Sequence, residues 1–199
     1  MRLVLEGEGG AGRQLMNAPI RVRALRSYQQ RLATFLYERD AAFAIAPLGA
    51  GKGAAALTAA AELIRDGERR HILVVAPKLV ATTVWGAEIA SWPHLEHLRV
   101  AVLDGAPERR RSLLAAAHQR DMTVVGVDFV PWLVGELAAI ATADHPLFDA
   151  LIIDETSRLK DPSGKRARAL LKVGGRFRTR WGLTGTPRPN SSRDLFMSG

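Results

Sequence analysis

The sequence predicts a three-layer α/β domain whose central sheet is mainly parallel. Short apolar strands alternate with helical segments, and a loop containing glycine and lysine lies between an early strand and the next helix. Strands that are apolar on both faces are typical of parallel sheets covered by helices on both sides. A third observation is an apolar strand that ends in Asp154-Glu155. It places two carboxylates at the carboxyl edge of the sheet, where ligands of such folds bind.

The predicted elements follow one another after a glycine-containing head at residues 1–19, and we expect one folded domain over 20–199. Apolar residues near helical spacing predict the first helix over 24–39. Runs of apolar residues predict strands at 42–46, 71–76, 98–103, 123–127, 150–154 and 180–184. Helical patterns between them predict an alanine-rich helix ending at Asp66 before Gly67, and helices at 80–92 (ended by Pro93), 108–120, 131–141 and 163–171.

Composition excludes several classes of protein. The chain has 199 residues, 47% of them hydrophobic and 24% charged, which is ordinary for a globular domain. It has no cysteine, so disulfides, zinc–cysteine sites and thiol catalysis are excluded. No apolar run approaches the roughly 20 residues of a membrane span. The N-terminus also lacks the apolar stretch of a secretory signal. We therefore expect a cytoplasmic protein with no membrane partner.

Positive charge is concentrated late in the chain. The net charge is +8, and residues 155–193 alone carry eleven Lys or Arg against two acidic residues, a local net charge of +9. Such a stretch is typical of a surface that faces a polyanion such as nucleic acid. A solvated basic face without a partner is the alternative, and charge alone does not separate the two.

The segment Ala46-Pro-Leu-Gly-Ala-Gly-Lys-Gly53 has the features of a phosphate-binding loop. Glycines let backbone N–H groups turn toward phosphate oxygens, and the following helix adds partial positive charge at its N-terminus. Lys52 would reach the outer phosphates. The usual pattern begins with Gly and ends with Ser or Thr, whereas this one begins with Ala46 and ends with Gly53. An ordinary glycine turn is the alternative. The candidate binding residues are Leu48, Gly49, Ala50, Gly51, Lys52 and Gly53.

The strand Leu151-Ile-Ile-Asp154-Glu155 carries the second candidate site. Asp154 is a candidate ligand of Mg²⁺, and Glu155 a candidate base that polarises an attacking water. A solvated strand end is the alternative. His94 and His97 lack further residues that would complete a metal site, so we do not expect one there. Tryptophans at 85, 92, 132 and 181 could stack on bases, but such residues are more often buried. We expect Trp181 in the core and keep Trp85 as a functional candidate.

The order of these segments is specific. The phosphate-type loop is followed about a hundred residues later by the Asp154-Glu155 strand, and then by Gly182-Leu-Thr-Gly-Thr-Pro187. In this order the chain resembles the first RecA-like lobe of a superfamily-two DNA helicase or translocase. It is most similar to the chromatin-remodeller-like (Swi/Snf-like) branch that bacteria and phages also carry. The resemblance covers about residues 24–197.

The resemblance implies ATP and Mg²⁺ as cofactors, DNA as the favoured partner and a P-loop, DEAD/DEAH-like hydrolase. Within Leu25-Arg26-Ser27-Tyr28-Gln29, Gln29 would recognise adenine. Lys52 and Glu155 would be catalytic, and Asp154 would hold Mg²⁺. The segments 75–78, with Trp85 downstream, and 124–128 resemble strand-contacting motifs. Residues assigned to nucleic acid are Lys78, Lys160, Lys165 and Arg168. Residues assigned to coupling between nucleotide and nucleic acid are Thr184, Gly185 and Thr186.

Two departures from the family pattern affect the expected activity. Gly53 replaces the hydroxyl residue, and no second RecA-like lobe follows the first one in this sequence. We therefore expect an ATP hydrolase lobe that is incomplete without a second RecA-like lobe and that turns over ATP slowly or not at all alone. Two alternatives stay open: a truncated or degenerate module that binds nucleotide or DNA without hydrolysis, and a split machine in which another chain supplies the second lobe.

Overall fold

The computed structural model describes residues 24–140, 146–156 and 164–185. These residues contain a six-stranded, all-parallel sheet in the order β1-β6-β5-β2-β4-β3. The strands are β1 (Ala41–Ile45), β2 (Ile72–Ala76), β3 (Val100–Leu103), β4 (Met122–Gly126), β5 (Ala150–Asp154) and β6 (Thr179–Thr184). All six predicted strands are present, within two residues of their predicted ends, and the predicted α/β class is confirmed. The expected head at residues 1–19 lies outside the described residues.

Helices cover both faces of the sheet. They are α1 (Ser27–Tyr37), α2 (Lys52–Arg65), α3 (Trp85–Ala90), α4 (Pro107–Ala115), α5 (Val130–Ile140) and α6 (Lys165–Gly174). Side chains of α1, α2 and α3 form one buried layer, and those of α4, α5 and α6 form the other. Alternate residues of β2 point into opposite layers: Val74 packs in the first and Val75 in the second. This alternation explains why the strands are apolar throughout.

The predicted helix over 80–92 is not continuous. Val80–Val84 forms a single wide π-helical turn, α3 follows it, and a short 3₁₀ turn occupies Pro93–Leu95. Two threonine hydroxyls bond back to main-chain carbonyls in this turn: Thr82 to Lys78 at 3.1 Å, and Thr83 to Leu79 at 2.7 Å. Side-chain bonds of this kind compete with α-helical geometry. Apolar spacing alone gave no sign of this change.

A buried arginine ties the amino ends of the strands together. Arg69 is 3% exposed and donates from Nε to the hydroxyl of Thr179, the first residue of β6, at 2.7 Å. It also forms an ion pair with Asp40, immediately before β1. The indole of Trp181 donates to the carbonyl of Arg39 at 2.9 Å, and Trp181 is in the core as predicted. In the described ranges no helix is long and apolar enough to span a membrane.

Candidate active site

The carboxyl ends of three neighbouring strands bring the predicted site together. β6 lies between β1 and β5, so the loop after β1 and the acidic pair at the end of β5 flank the end of β6. The N–H of Ala46 donates to the carbonyl of Thr184 at 3.1 Å, which fixes the start of the loop against β6. A methyl group placed on Gly185 would lie 3.8 Å from the backbone nitrogen of Leu48 and 3.9 Å from Oε2 of Glu155. Segments more than a hundred residues apart in sequence therefore meet here.

Backbone geometry in the loop depends on two glycines. Gly49 has φ +78° and Gly51 has φ +73°, the left-handed region that residues with a Cβ avoid. Gly51 is the N-cap of α2, and Lys52 is the first residue of that helix. Gly53 adopts ordinary geometry, and a Cβ there would meet no atom within 4 Å. Position 53 is thus glycine without a local steric need for it.

Gln29 is packed against this loop. Its side chain is buried, its Nε2 donates to the carbonyl of Ala50 at 3.1 Å, and its Oε1 accepts the N–H of Arg26 at 2.9 Å. A Cβ on Gly51 would lie 2.0 Å from the Gln29 amide nitrogen, so any side chain at position 51 would displace the Gln29 amide. Gln29 therefore supports the loop. Its predicted recognition of adenine stays a prediction.

A cleft of about 180 Å³ opens beside the loop. Gly49, Gly51, Lys52, Gly53 and Asp154 contribute to its walls. Its remaining walls come from Leu57, Val84, Trp85 and Glu88. The ammonium group of Lys52 is held over the loop by the carbonyls of Ala46 at 2.7 Å and Pro47 at 3.0 Å. The cleft therefore combines a cation, a carboxylate and glycine backbone.

Asp154 is a half-buried carboxylate in this cleft. Burial raises the pKa of its carboxyl group, and the neighbouring charge of Glu155 raises it further. A hydrogen bond from the indole Nε1 of Trp85 to Oδ2, 3.1 Å long, and the charge of Lys52 oppose this shift. Burial thus disfavours the charged form of this carboxyl group, and a cation beside it would stabilise that form.

Glu155 has an unusual backbone for a residue with a side chain. Its φ is +56°, the one positive value at a non-glycine residue in the described part of the chain. Its Oε1 accepts a hydrogen bond from the hydroxyl of Thr184 at 3.2 Å. Left-handed geometry costs roughly 1–2 kcal/mol and clusters at functional sites. Thr184 and Gly185 thus touch the proposed base, whereas Thr186 lies outside the described residues.

The described residues predicted to contact nucleic acid lie along the same edge, but not as one patch. Lys78 follows β2 and packs beside Gly126 at the end of β4, with 3.5 Å from its Cα to a methyl group placed on Gly126. Lys165 and Arg168 are exposed at the start of α6. Between these segments, Arg166 forms an ion pair with Asp128 at 2.5 Å. Lys160 lies outside the described residues.

The basic stretch is continuous in the sequence, but its described residues lie at different edges of the sheet. Helix α6 runs back from the carboxyl edge of the sheet to the amino edge. Arg176 and Arg178 therefore lie just before β6, at the edge opposite the cleft. The described part of the +9 segment is not a single surface, because Lys165 and Arg168 lie toward the carboxyl edge of the sheet and Arg176 and Arg178 lie at its amino edge.

The other candidates from the sequence are three tryptophans and His94, and the structure shows what surrounds them. Trp85, Trp92 and Trp181 are at most 3% exposed, so base stacking is wrong for them in this structure. His94 contacts the hydroxyl of Thr58 at 2.9 Å, and burial lowers its pKa. Within the described ranges, no group of three or more His, Cys, Asp or Glu side chains could hold a metal ion.

Comparison with known proteins decides the family. The family described as SNF2-related domain matches residues 28–197. The chain belongs to the SNF2-related domain family. The predicted resemblance to the Swi/Snf-like branch is thereby confirmed.

Two proteins that are similar to this SNF2-related chain are both longer than it. Protein p41 of Acyrthosiphon pisum secondary endosymbiont phage 1 is 36% identical over 177 residues, which are 86% of this chain and 37% of p41. The Sulfolobus solfataricus SWI2/SNF2 ATPase core, solved in complex with dsDNA, superposes with a TM-score of 0.69 at 21% identity, over 88% of this chain and 35% of that one. The structural match confirms the RecA-like fold. The chain spans about a third of the length of each.

Sequence reasoning gave one cleft residue of this SNF2-related domain a different role and missed another. It placed Trp85 with the strand-contacting segment, whereas its indole bonds to Asp154. It did not single out Glu88, which lines the cleft and accepts a hydrogen bond from Trp92 at 2.9 Å. The available signal was spacing, because residues 85, 88 and 92 are three and four apart and share one helix face.

Proposed function

We propose that this domain is the ATP-binding lobe of a DNA-dependent ATPase of the helicase or duplex-translocase type. It completes its active site with a second RecA-like lobe. The observation that carries the proposal is the meeting of Lys52 and Asp154, from segments a hundred residues apart, in one cleft beside a loop with two left-handed glycines. Family membership and the dsDNA complex of the Sulfolobus core support the choice of reaction and partner.

The residues of the cleft fit a nucleoside triphosphate. Backbone N–H groups near Gly49 and Gly51, together with the N-terminus of α2, suit phosphate oxygens. Lys52 would exchange its two carbonyl partners for the outer phosphates. Asp154 would hold Mg²⁺, directly or through water, and Mg²⁺ supplies neutralisation of the charge that develops on the phosphates. Gly53 offers no oxygen, so a water would occupy the position of the usual hydroxyl.

Glu155 would orient and deprotonate the attacking water. Its carboxylate is already engaged by Thr184, which lies on β6 next to the Gly185 turn. A change in the position of that turn would therefore alter the base directly. This contact gives the predicted coupling role of Thr184 and Gly185 a physical route. Gln29 is fixed against the loop. It would contact the adenine, which is at the end of the nucleotide opposite the outer phosphates.

A nucleotide-binding module without hydrolysis is the second candidate function. Gly53 favours it, because the position has space for a hydroxyl side chain and carries none. The two candidates differ in turnover once a second lobe is supplied. ATP hydrolysis stimulated by DNA in the reconstituted pair supports the ATPase, and binding without hydrolysis supports the module.

Nucleotide binding is the first test. We expect fluorescent ATP to bind the chain with Mg²⁺, and Lys52→Ala to abolish this binding because it removes the cation that faces the outer phosphates. Lys172→Ala is the matched control, since Lys172 is an exposed lysine near the end of α6, away from the cleft. Equal affinity in all three proteins would refute the assignment of the loop.

DNA binding is the second test. We expect weak binding with little sequence preference, with a Kd of about 10⁻⁴–10⁻⁶ M at physiological salt. Reversing Lys160, Lys165 and Arg168 to Glu should weaken it and reduce its salt dependence. The control reverses Arg70, Arg176 and Arg178 at the opposite edge, with the same change in net charge. Equal losses in the two triple variants would show that only overall charge matters.

A further inference from the structure

One hydrogen bond links the segment after β2 to the carboxylate of the cleft. Nε1 of Trp85 donates to Oδ2 of Asp154 at 3.1 Å, between residues 69 positions apart. The indole is 2% exposed, so water does not compete for this bond. Trp181, the comparable tryptophan inside the sheet, donates to a main-chain carbonyl instead. Trp85 is thus bonded to the group that the proposed chemistry assigns to Mg²⁺.

A buried side-chain donor on one oxygen has a defined effect on a carboxylate, and at Asp154 it acts beside a backbone N–H donor from Glu155. It restricts rotation of the carboxylate about its terminal bond, because turning the group breaks the bond to Oδ2. Terminal torsions of Asp are otherwise broad. The bond from Trp85 therefore favours one orientation of the carboxylate in the cleft that Asp154 lines. Partners of this kind orient metal ligands from outside the first coordination sphere.

The π-helical turn at Val80–Val84 sets the direction of the indole. One residue rotates a helical face by about 100°, so the extra residue of a π turn changes which side chain of α3 meets the sheet. Hydroxyl bonds from Thr82 and Thr83 stabilise this wide turn. Glu88, one turn after Trp85, lines the same cleft. Trp85 and Glu88 of α3 thereby both line the cleft.

We propose that Trp85 is a positioning residue for the Mg²⁺-side carboxylate of Asp154. The proposal rests on the proposed function, because it assumes that Asp154 faces Mg²⁺ bound with ATP. The expected consequence is specific. Loss of the indole N–H weakens the magnesium-dependent part of nucleotide binding and leaves the magnesium-free part unchanged.

The test is calorimetric titration of ATP into the full chain, with Mg²⁺ and with EDTA. In Trp85→Phe we expect the gain in affinity due to Mg²⁺ to fall about 10-fold or more, as for other outer partners of metal ligands. The affinity in EDTA should match that of the wild type. Trp132→Phe is the matched control, because its Nε1 also donates to a carboxylate, Glu136, at 2.9 Å, on α5. It should leave both titrations unchanged.

A double-mutant cycle separates positioning from packing. If Trp85 acts through Asp154, Trp85→Phe should have no further effect on the magnesium dependence in an Asp154→Asn background. Circular dichroism checks that each variant is folded. Should Trp85→Phe fail to fold, benzothienylalanine at position 85 keeps the ring shape and replaces only the N–H by sulfur.

The outcomes are distinguishable. Magnesium-dependent binding that Lys52→Ala abolishes and Trp85→Phe reduces supports the inference. The same binding with full magnesium dependence in Trp85→Phe overturns the inference alone. A wild-type chain without magnesium-dependent binding overturns the proposed function, and the inference with it. Additive losses in the double variant also overturn the inference, because the indole would then act independently of Asp154.

Discussion

The two left-handed glycines of the loop provide a matched pair of substitutions, because only one of them lies against a side chain. We expect Gly51→Ala to destabilise the protein more than Gly49→Ala. Both substitutions place a Cβ at a φ near +75°, with values of +73° and +78°. The methyl group at 49 meets no atom within 4 Å, whereas that at 51 would lie 2.0 Å from Nε2 of Gln29.

The magnitudes follow from separate contributions. Left-handed geometry costs a residue with a Cβ about 1–2 kcal/mol. Reduced freedom of the unfolded chain offsets about 0.4–1 kcal/mol of it, so Gly49→Ala should cost about 1 kcal/mol. Gly51→Ala also displaces the Gln29 amide from its bonds with Ala50 and Arg26, each contributing about 1 kcal/mol. The free energy of unfolding should therefore fall by about 2 kcal/mol more in Gly51→Ala.

Urea unfolding at equilibrium measures both costs. The decisive comparison repeats the two substitutions in a Gln29→Ala background, where the clash is gone. There the two glycine variants should lose equal free energy of unfolding. Equal losses in the wild-type background, or a difference that survives without Gln29, would refute the packing of Gln29 against the loop.

Three further outcomes are expected. Gly53→Thr should tighten Mg·ATP binding by up to about 30-fold without changing binding in EDTA, since a tethered hydroxyl replaces a water whose immobilisation costs up to about 2 kcal/mol. Unchanged magnesium dependence would separate position 53 from the metal. Arg69→Met should lower the free energy of unfolding by about 1–3 kcal/mol, because it removes charged hydrogen bonds to Asp40 and Thr179. A loss below about 0.5 kcal/mol in urea unfolding would contradict this. The folded pKa of Asp154 lies above its unfolded value, so the stability it contributes is complete below the unfolded pKa and is lost as pH rises through the folded pKa. Asp154→Asn should thus unfold at higher temperature than the wild type near neutral pH, with the difference shrinking on acidification.

Periodicity predicted the fold well because each strand is apolar on both faces. The runs at 150–154 and 71–76 are apolar at nearly every position, which predicts strands buried on both faces. The structure places them side by side as β5 and β2. Of the predicted binding residues, Gly49, Gly51, Lys52, Gly53 and Asp154 line one cleft, whereas Leu48 is exposed outside it. Order along the chain was sufficient here, since the carboxyl ends of parallel strands must share one edge.

Features that depend on orientation were not predictable. Apolar spacing over 80–92 indicates a helix, but it does not reveal a π turn that redirects Trp85 toward Asp154. A count of charges over 155–193 does not show that α6 leads back to the amino edge of the sheet, where Arg176 and Arg178 lie. The left-handed backbone of Glu155 has no sequence signal, because this conformation is expected of glycine and a glutamate does not indicate it. Each of these depends on tertiary contacts.

The position of β1 affects how the domain forms during synthesis. Among the described residues, β1 pairs with β6 alone, joining Ile45 to Thr184, 139 residues later. A ribosome adding 5–20 residues per second needs about 7–28 s to cover that distance. During this time the nascent glycine loop has no strand partner, although β2, β4 and β5 can already pair with one another. The glycine loop is translated early and is therefore among the last segments to acquire its native shape.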